Sequence, residues 1–195
     1  MNAKVEQKEL SHESILESAA RLIREKGISG ARVAEVMKGA ALTVGGFYAH
    51  FSSKDHLVDE TLRRTGATLR ERLFARLEAD RAEVILKRYL SPDHRDASTL
   101  GCPLPAVVGE IGTTAPQHRA VLAEQVQLLI DRLAQHLPAG GAIPPRLLAT
   151  GLVALMYGGL SLSRAVKRSD LSAEVLRACR ALGLAAVRGT KGEQQ

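Results

Sequence analysis

A chain of 195 residues, 45% hydrophobic and 25% charged, has enough apolar material for a core, which excludes a disordered or disulfide-scaffolded protein. Only three Phe, three Tyr and no Trp, beside abundant Ala, Leu, Arg and Glu, favour an all-α chain over a sheet protein. The formal charge of +6 is compatible with a nucleic-acid partner, yet residues 1–57 carry eight basic against seven acidic side chains and residues 141–195 eight against three, so net charge alone does not argue for DNA.

In chain order, residues 1–9 are polar and read as a flexible arm. Ser11 is a good N-cap for a first helix, with Ile15, Leu16, Ala19, Leu22 and Ile23 at helical spacing on one apolar face. Gly27 is placed to end it in a left-handed conformation. A short second helix fits Arg32–Lys38 with Val33, Val36 and Met37 inward. Gly39–Leu42 is a tight connection, and a third helix capped by Thr43 fits Thr43–His50. Ser52 or Ser53 caps a long fourth helix that carries Leu57, Leu62, Leu69, Leu73 and Leu77, with Gly66 as a possible kink. Helical patterns continue at Arg81–Leu90, Leu104–Ile111, Gln117–Leu137, Arg146–Lys167 and Ser172–Val187. The long polar loop Ser91–Gly101 reads as a mobile segment. The domains predicted are the arm, a helix-turn-helix domain over 10–65 with its motif at 32–50, and a second helical domain over 66–190.

Cys102 and Cys179 are the only cysteines, and MNAKVEQKEL has no apolar leader region. Both features point to a reducing, cytoplasmic compartment. The most apolar stretch, Gly151–Leu162, is short and broken by glycine, so it reads as a buried helix with no membrane partner. There is no metal-ligand spacing, no phosphate-cradling glycine loop and no paired-carboxylate motif, so no metal or cofactor is implied.

Two short helices joined by a tight turn suit insertion into the major groove of double-stranded DNA. Phe47 and Phe51, spaced i, i+4, anchor the second helix to the core. Thr43, Val44, Gly45, Tyr48 and His50 are left for the DNA side. The Thr43 and Tyr48 hydroxyls can bond phosphates, and Val44 can touch a thymine methyl. Lys54 opens the next helix, where its ammonium and the free N–H groups favour a phosphate. Arg32 can reach the backbone or a groove edge. A Phe-Tyr-x-His-Phe cluster standing alone is a core pattern; the preceding helix, the turn and Lys54 are what make it a DNA-binding one.

The run from Gly30 to Leu57 resembles the DNA-binding domain of the TetR family of one-component regulators. Tyr48, His50, Phe51, Lys54, Asp55 and Leu57 stand where that family carries its Tyr-x-His-Phe and Lys-Asp/Glu-x-Leu pattern. The resemblance implies phosphate contacts at Tyr48 and Lys54, with Thr43, Val44 and Gly45 facing the bases. This chain departs from the pattern at Ala41, where the turn usually has Gly, and at Arg32 and Ala34 on the second helix.

The resemblance also implies a C-terminal effector-binding and dimerisation domain. Arg146–Lys167 and Ser172–Val187 are the dimer candidates, with Gly151, Ala154, Gly158, Gly159 and Ala165 for close approach and Leu152, Leu155, Met156, Leu176 and Leu182 for apolar area. Cys102 precedes a predicted helix, whose N-terminus favours a thiolate. Its Gly-Cys-Pro setting is similar to a branch of the family that responds to electrophiles, so Cys102 is a candidate sensing thiol, with plain core packing as the alternative. The competing effector site is an apolar pocket among Leu69, Leu73, Tyr89, Val107, Ile111, Val121, Gln125 and Leu128. The function predicted is a transcriptional repressor, a homodimer released from a DNA operator by a small-molecule or electrophilic effector. Two other classes stand beside it: an enzyme using Cys102 as nucleophile with His94 or His118 as base, and a helical ligand carrier without DNA binding.

Overall fold

The computed structural model describes residues 3–75, 82–97, 101–139 and 141–189. The helices are α1 (Ala3–Gly30), α2 (Val33–Gly39), α3 (Lys54–Phe74), α4 (Ala82–Tyr89), α5 (Pro92–Asp96), α6 (Leu104–Thr113), α7 (Arg119–Ala134), α8 (Pro145–Ala165) and α9 (Asp170–Gly189). Short 3₁₀ helices occupy Val44–Ala49 and Pro116–His118, and no strand occurs among the described residues. The all-α expectation holds. Leu77, Arg81 and residue 190, parts of the sequence reading, lie outside the described residues.

The chain forms two compact units. The first comprises residues 1–68 together with Cys102–Ala123. Its α1 begins at Ala3, so the segment expected to be a loose arm is helical. Lys, Glu and Gln in that stretch are good helix formers. Ser11 lies inside the helix and its hydroxyl donates to the Gln7 carbonyl one turn back, 2.9 Å, instead of capping. The apolar face was read correctly: Ile15, Leu16, Ala19, Leu22 and Ile23 are all buried.

At Gly27 the backbone leaves the helix, with φ 75° and ψ −176°. A Cβ there would lie 1.9 Å from a Glu110 carboxylate oxygen, so glycine is required twice over, for the backbone and for the approach. Glu110, on α6, accepts hydrogen bonds from the Ile28 and Ser29 amides at 2.8 and 2.9 Å. The carboxylate satisfies both amides at the break in the helix.

The core of this unit joins α1, Val36, Met37, Phe47, Phe51, Leu57, Val58 and Leu62 to Val107, Ile111, Ala115 and Val121. The head therefore includes α6 and the start of α7, which the boundary at 65 left in the second domain. Val107, Ile111 and Val121, expected to line a pocket, are instead core residues of the head.

The second unit comprises Leu69–Gly101 and residues 124–195. In it α8 and α9 pack against each other over much of their length. Gly159 allows this closeness: a Cβ there would lie 2.9 Å from the Cys179 sulfur and 3.0 Å from Leu90. Ser172 donates to the Ser163 carbonyl, 2.7 Å, inside the same contact. Leu152, Met156 and Leu176 are buried within this chain, and Leu155 packs on Gly183, so these four serve an intrachain core and not the dimer face expected of them. The loop Ser91–Gly101 holds the short helix α5, N-capped by the Ser91 hydroxyl. α8 has 21 residues and is long and apolar enough, by length and composition only, to cross a membrane, a test that a core helix also passes.

Ala41 adopts φ 58° in the turn after α2, where its amide donates to the Lys38 carbonyl at 3.1 Å. A left-handed residue with a Cβ costs about 1–2 kcal/mol. Ala41→Gly is expected to stabilise the protein by about 0.5–1 kcal/mol in urea unfolding, the relief of strain being partly offset by a more flexible unfolded chain. Glu110→Ala is expected to destabilise by about 1–3 kcal/mol in the same measurement, because the partly buried Ile28 amide and the exposed Ser29 amide lose their acceptor.

Candidate nucleic-acid interface

The recognition segment is a 3₁₀ helix, Val44–Ala49, tighter than the α-helix expected over Thr43–His50. Gly45 and Gly46 lower α-propensity here, and 3₁₀ geometry suits a single short turn. Thr43 stands at its N-cap with extended backbone, but the cap is made by its carbonyl, which accepts from the Gly46 amide at 3.1 Å. The Thr43 side chain makes no cap hydrogen bond, contrary to expectation.

Phe47 and Phe51 are each 1% exposed, with stacked rings 5.7 Å apart. They fasten one side of the segment to the head. Thr43, Val44, Gly45 and Tyr48 are exposed, Tyr48 at 76% and Val44 at 52%. Tyr48 is held edge-on against Phe47, with centroids 5.2 Å apart. A Cβ on Gly45 would meet nothing within 4 Å, so the backbone is open to an approaching surface. Arg32 is exposed at the N-cap of α2, and Lys54 is half-buried as the first residue of α3. The Ser53 hydroxyl caps α3 by accepting from the His56 amide, 3.0 Å.

His50 does not join the exposed set. It is half-buried and faces α1, with its ring 5.8 Å from that of His12. His12 in turn stacks on Phe51 at 4.7 Å and donates to the Glu60 carboxylate at 2.6 Å. Partial burial, then His12 and Lys8, push the His50 pKa below its usual 6.5.

Sequence reasoning missed how α3 is held. His118 is fully buried, its Nδ1 2.7 Å from an Asp59 carboxylate oxygen and its Nε2 3.4 Å from Asp55. Gln117 donates to Asp55 at 3.3 Å. Both aspartates follow Lys54 on α3, so this distant turn braces the helix that presents the lysine. An acidic i, i+4 pair behind Lys54 was the available signal, but it does not name its partner.

The other predicted site residues are placed as follows. Cys102 is 1% exposed, just ahead of α6. The His118 Nδ1 lies 2.7 Å from Asp59, and the His94 Nδ1 donates to the Tyr89 carbonyl at 2.7 Å. Tyr89 is buried with its ring edge-on to His94, and Gln125 accepts from Arg70 at 2.9 Å. A cleft of about 280 Å³ in the second unit is lined by Leu69, Arg72, Leu73, Arg88, Ser91, Asp93, His94, Ala97 and Gly101. Leu69 and Leu73 reach it as expected, but Tyr89 and Gln125 are not among its walls. Leu128 lines a separate shallow cleft with Phe74 and Arg132.

An anchored short helix behind a bracing helix, with cationic side chains at adjacent helix starts, is the arrangement of a helix-turn-helix unit. Residues 15–61 match the family model for bacterial regulatory proteins of the tetR family. Over 49 residues it is 41% identical to the HTH-type transcriptional repressor KstR2 of Mycobacterium tuberculosis, a stretch covering 25% of this chain and 24% of that repressor. The match thus spans about a quarter of that relative's length. The fold is similar to that of E. coli NemR in its reduced form, with a TM-score of 0.76 and 22% identity over 89% of this chain and 94% of that one. It is also similar to SCO4454, a TetR-family transcriptional regulator from Streptomyces coelicolor, with a TM-score of 0.72 and 21% identity over 93% and 96%. At these identities the likeness establishes the fold.

His50 and His94 are both shifted below 6.5, His94 mainly by burial against the opposing Tyr89 hydrogen bond. The unfolded chain then binds more protons just below that pH, so both groups stabilise the fold above it and cease to as pH falls. The melting temperature is expected to drop between about pH 7.5 and about pH 5.5, and to drop less in a His50→Gln, His94→Gln double variant. Equal slopes for the two proteins in scanning calorimetry would refute the assignment.

Proposed function

We propose that this protein is a transcriptional repressor that binds a double-stranded DNA operator as a homodimer in the cytoplasm, and that a small-molecule effector releases it. The observation that carries the reading is the anchored segment itself. Phe47 and Phe51 are sunk in the head while Thr43, Val44, Gly45 and Tyr48 stand exposed, with Arg32 and Lys54 beside them at helix starts. That division of one short segment into a buried and a free side has no use in a ligand carrier.

Dimerisation is supported by a small-residue and leucine stripe left exposed on α8 and α9. Leu147, Gly151, Ala154 and Leu162 recur at helical spacing on the first, and Leu171, Ala178, Leu182 and Ala185 on the second. An isologous four-helix contact would bury both stripes. Two recognition helices could then reach half-sites about one DNA turn apart. The effector site is assigned to the cleft bordered by Leu69, Leu73, Arg72 and His94, because the buried Cys102 thiol offers a reagent no direct access. Effector binding would favour a spacing of the two heads that no longer matches the operator.

A gel-shift titration of the full chain against the DNA flanking its own gene tests the reading. Binding is expected to weaken steeply with salt, as phosphate contacts release counterions. Lys54→Ala is expected to weaken binding to all sequences alike and to lower the salt slope by about 1. A Leu162→Glu, Leu182→Glu variant should sediment as a monomer at micromolar concentration and lose operator affinity. A variant that remains dimeric would refute the assigned face, and a wild-type chain that shifts no DNA would leave the ligand-carrier reading in its place.

A further inference from the structure

We propose that the protein selects its operator through thymine C5-methyl groups, read by Val44 and the methyl of Thr43, and not through hydrogen bonds to base edges. The proposal rests on the DNA-binding reading above and specifies what that interface recognises.

From Gly39 to Ser53 the chain contains no Arg, Lys, Asn, Gln, Asp or Glu. Those are the side chains that pair with guanine, adenine or cytosine edges in the major groove, the first four of them often bidentately. The polar groups that do occur in the run are Thr43, Tyr48, His50, Ser52 and Ser53. Two are committed elsewhere: the Ser53 hydroxyl caps α3, and the Ser52 hydroxyl lies 3.2 Å from the His56 ring; His50 is half-buried with its ring toward α1. Tyr48 has a single hydroxyl, which suits a phosphate oxygen.

What remains at the leading end of the recognition segment is apolar. Val44 is its first residue and is half exposed. An added Cβ on neighbouring Gly45 would meet open space, so the backbone beside Val44 is open to an approaching surface. The burial of Phe47 fixes the turn that carries Val44, which makes the position of its two methyls specific and not merely sticky. In the major groove the thymine methyl is the one apolar feature among the four base edges, and its side of the groove tells T·A from A·T. Arg32 and Lys54, at helix starts, then supply phosphate attraction without sequence choice.

The test uses the full chain and an operator enriched by it from a random duplex pool. Each thymine of that operator is replaced in turn by deoxyuridine, which removes the methyl and leaves every hydrogen-bonding group. One or two positions per half-site are expected to weaken binding about three- to five-fold each. At one of them Val44→Ala should bind the thymine and deoxyuridine duplexes equally, while Arg32→Ala should weaken both by the same factor. Val44 is on the surface, and unchanged helicity and melting temperature of its variant would separate lost reading from lost folding.

Tight, sequence-specific binding that is indifferent to every deoxyuridine, and that falls instead on replacing a guanine with 7-deazaguanine, would overturn the proposal in favour of readout by Arg32 or Lys38. Failure to enrich any duplex would overturn the DNA-binding reading itself, and this proposal with it.

Discussion

A six-residue 3₁₀ turn containing Gly45 and Gly46 has no stability of its own, since nucleating a helix costs more than a few hydrogen bonds return. The stacked burial of Phe47 and Phe51 supplies what the backbone lacks. Each ring fills core space lined by α1 and α3, and the pair fixes both the position and the rotation of the turn. Everything that makes the interface usable follows from that constraint. Tyr48 leans edge-on against Phe47 and so has a defined direction, and Val44 and Thr43 lead because Phe47 points the other way. The strained Ala41 belongs to the same arrangement, because the chain must reverse within a few residues to bring Phe47 back to the core.

The anchor needs a finished core to grip, and the three N-terminal helices do not complete one. Val107, Ile111, Ala115 and Val121 close the apolar face of α1 and α2. Two polar attachments register that cover. Glu110 ties α6 to the break at Gly27, and His118 with Gln117 ties the following turn to Asp55 and Asp59 on α3. One attachment lies ahead of the bracing helix and the other behind Lys54, so residues 102–123 hold the reading head at both ends. Cys102 marks the start of this covering segment and is buried with it.

Elements and anchors were legible because they are local. The 3.6-residue spacing of Ile15, Leu16, Ala19, Leu22 and Ile23, the Phe47–Phe51 interval and the positions of Gly27 and Ala41 each depend on neighbours within a turn or two. The errors were local as well where two uses of one residue compete. Ser11 can cap a helix or bond back within one, and the good helix formers before it decided for the second. His50 sits in a DNA-facing pattern, yet its ring went to His12 across an interface that the pattern does not describe.

The amino-acid order by itself determined that the chain is helical, that residues 32–50 carry a helix-turn-helix, and that Phe47 and Phe51 are buried while Thr43, Val44, Gly45 and Tyr48 are free. Periodicity and capping act over a few residues, and they carry that much. Only the tertiary structure decided that α6 belongs to the head, that Glu110 and His118 brace it, and that Leu152, Met156 and Leu176 are spent inside the chain while Leu162 and Leu182 are left outside. Partners 59 and 82 residues apart, Asp59 with His118 and Ile28 with Glu110, are chosen by which apolar faces cover each other. That choice is made by the packing of whole helices, and no local spacing records it.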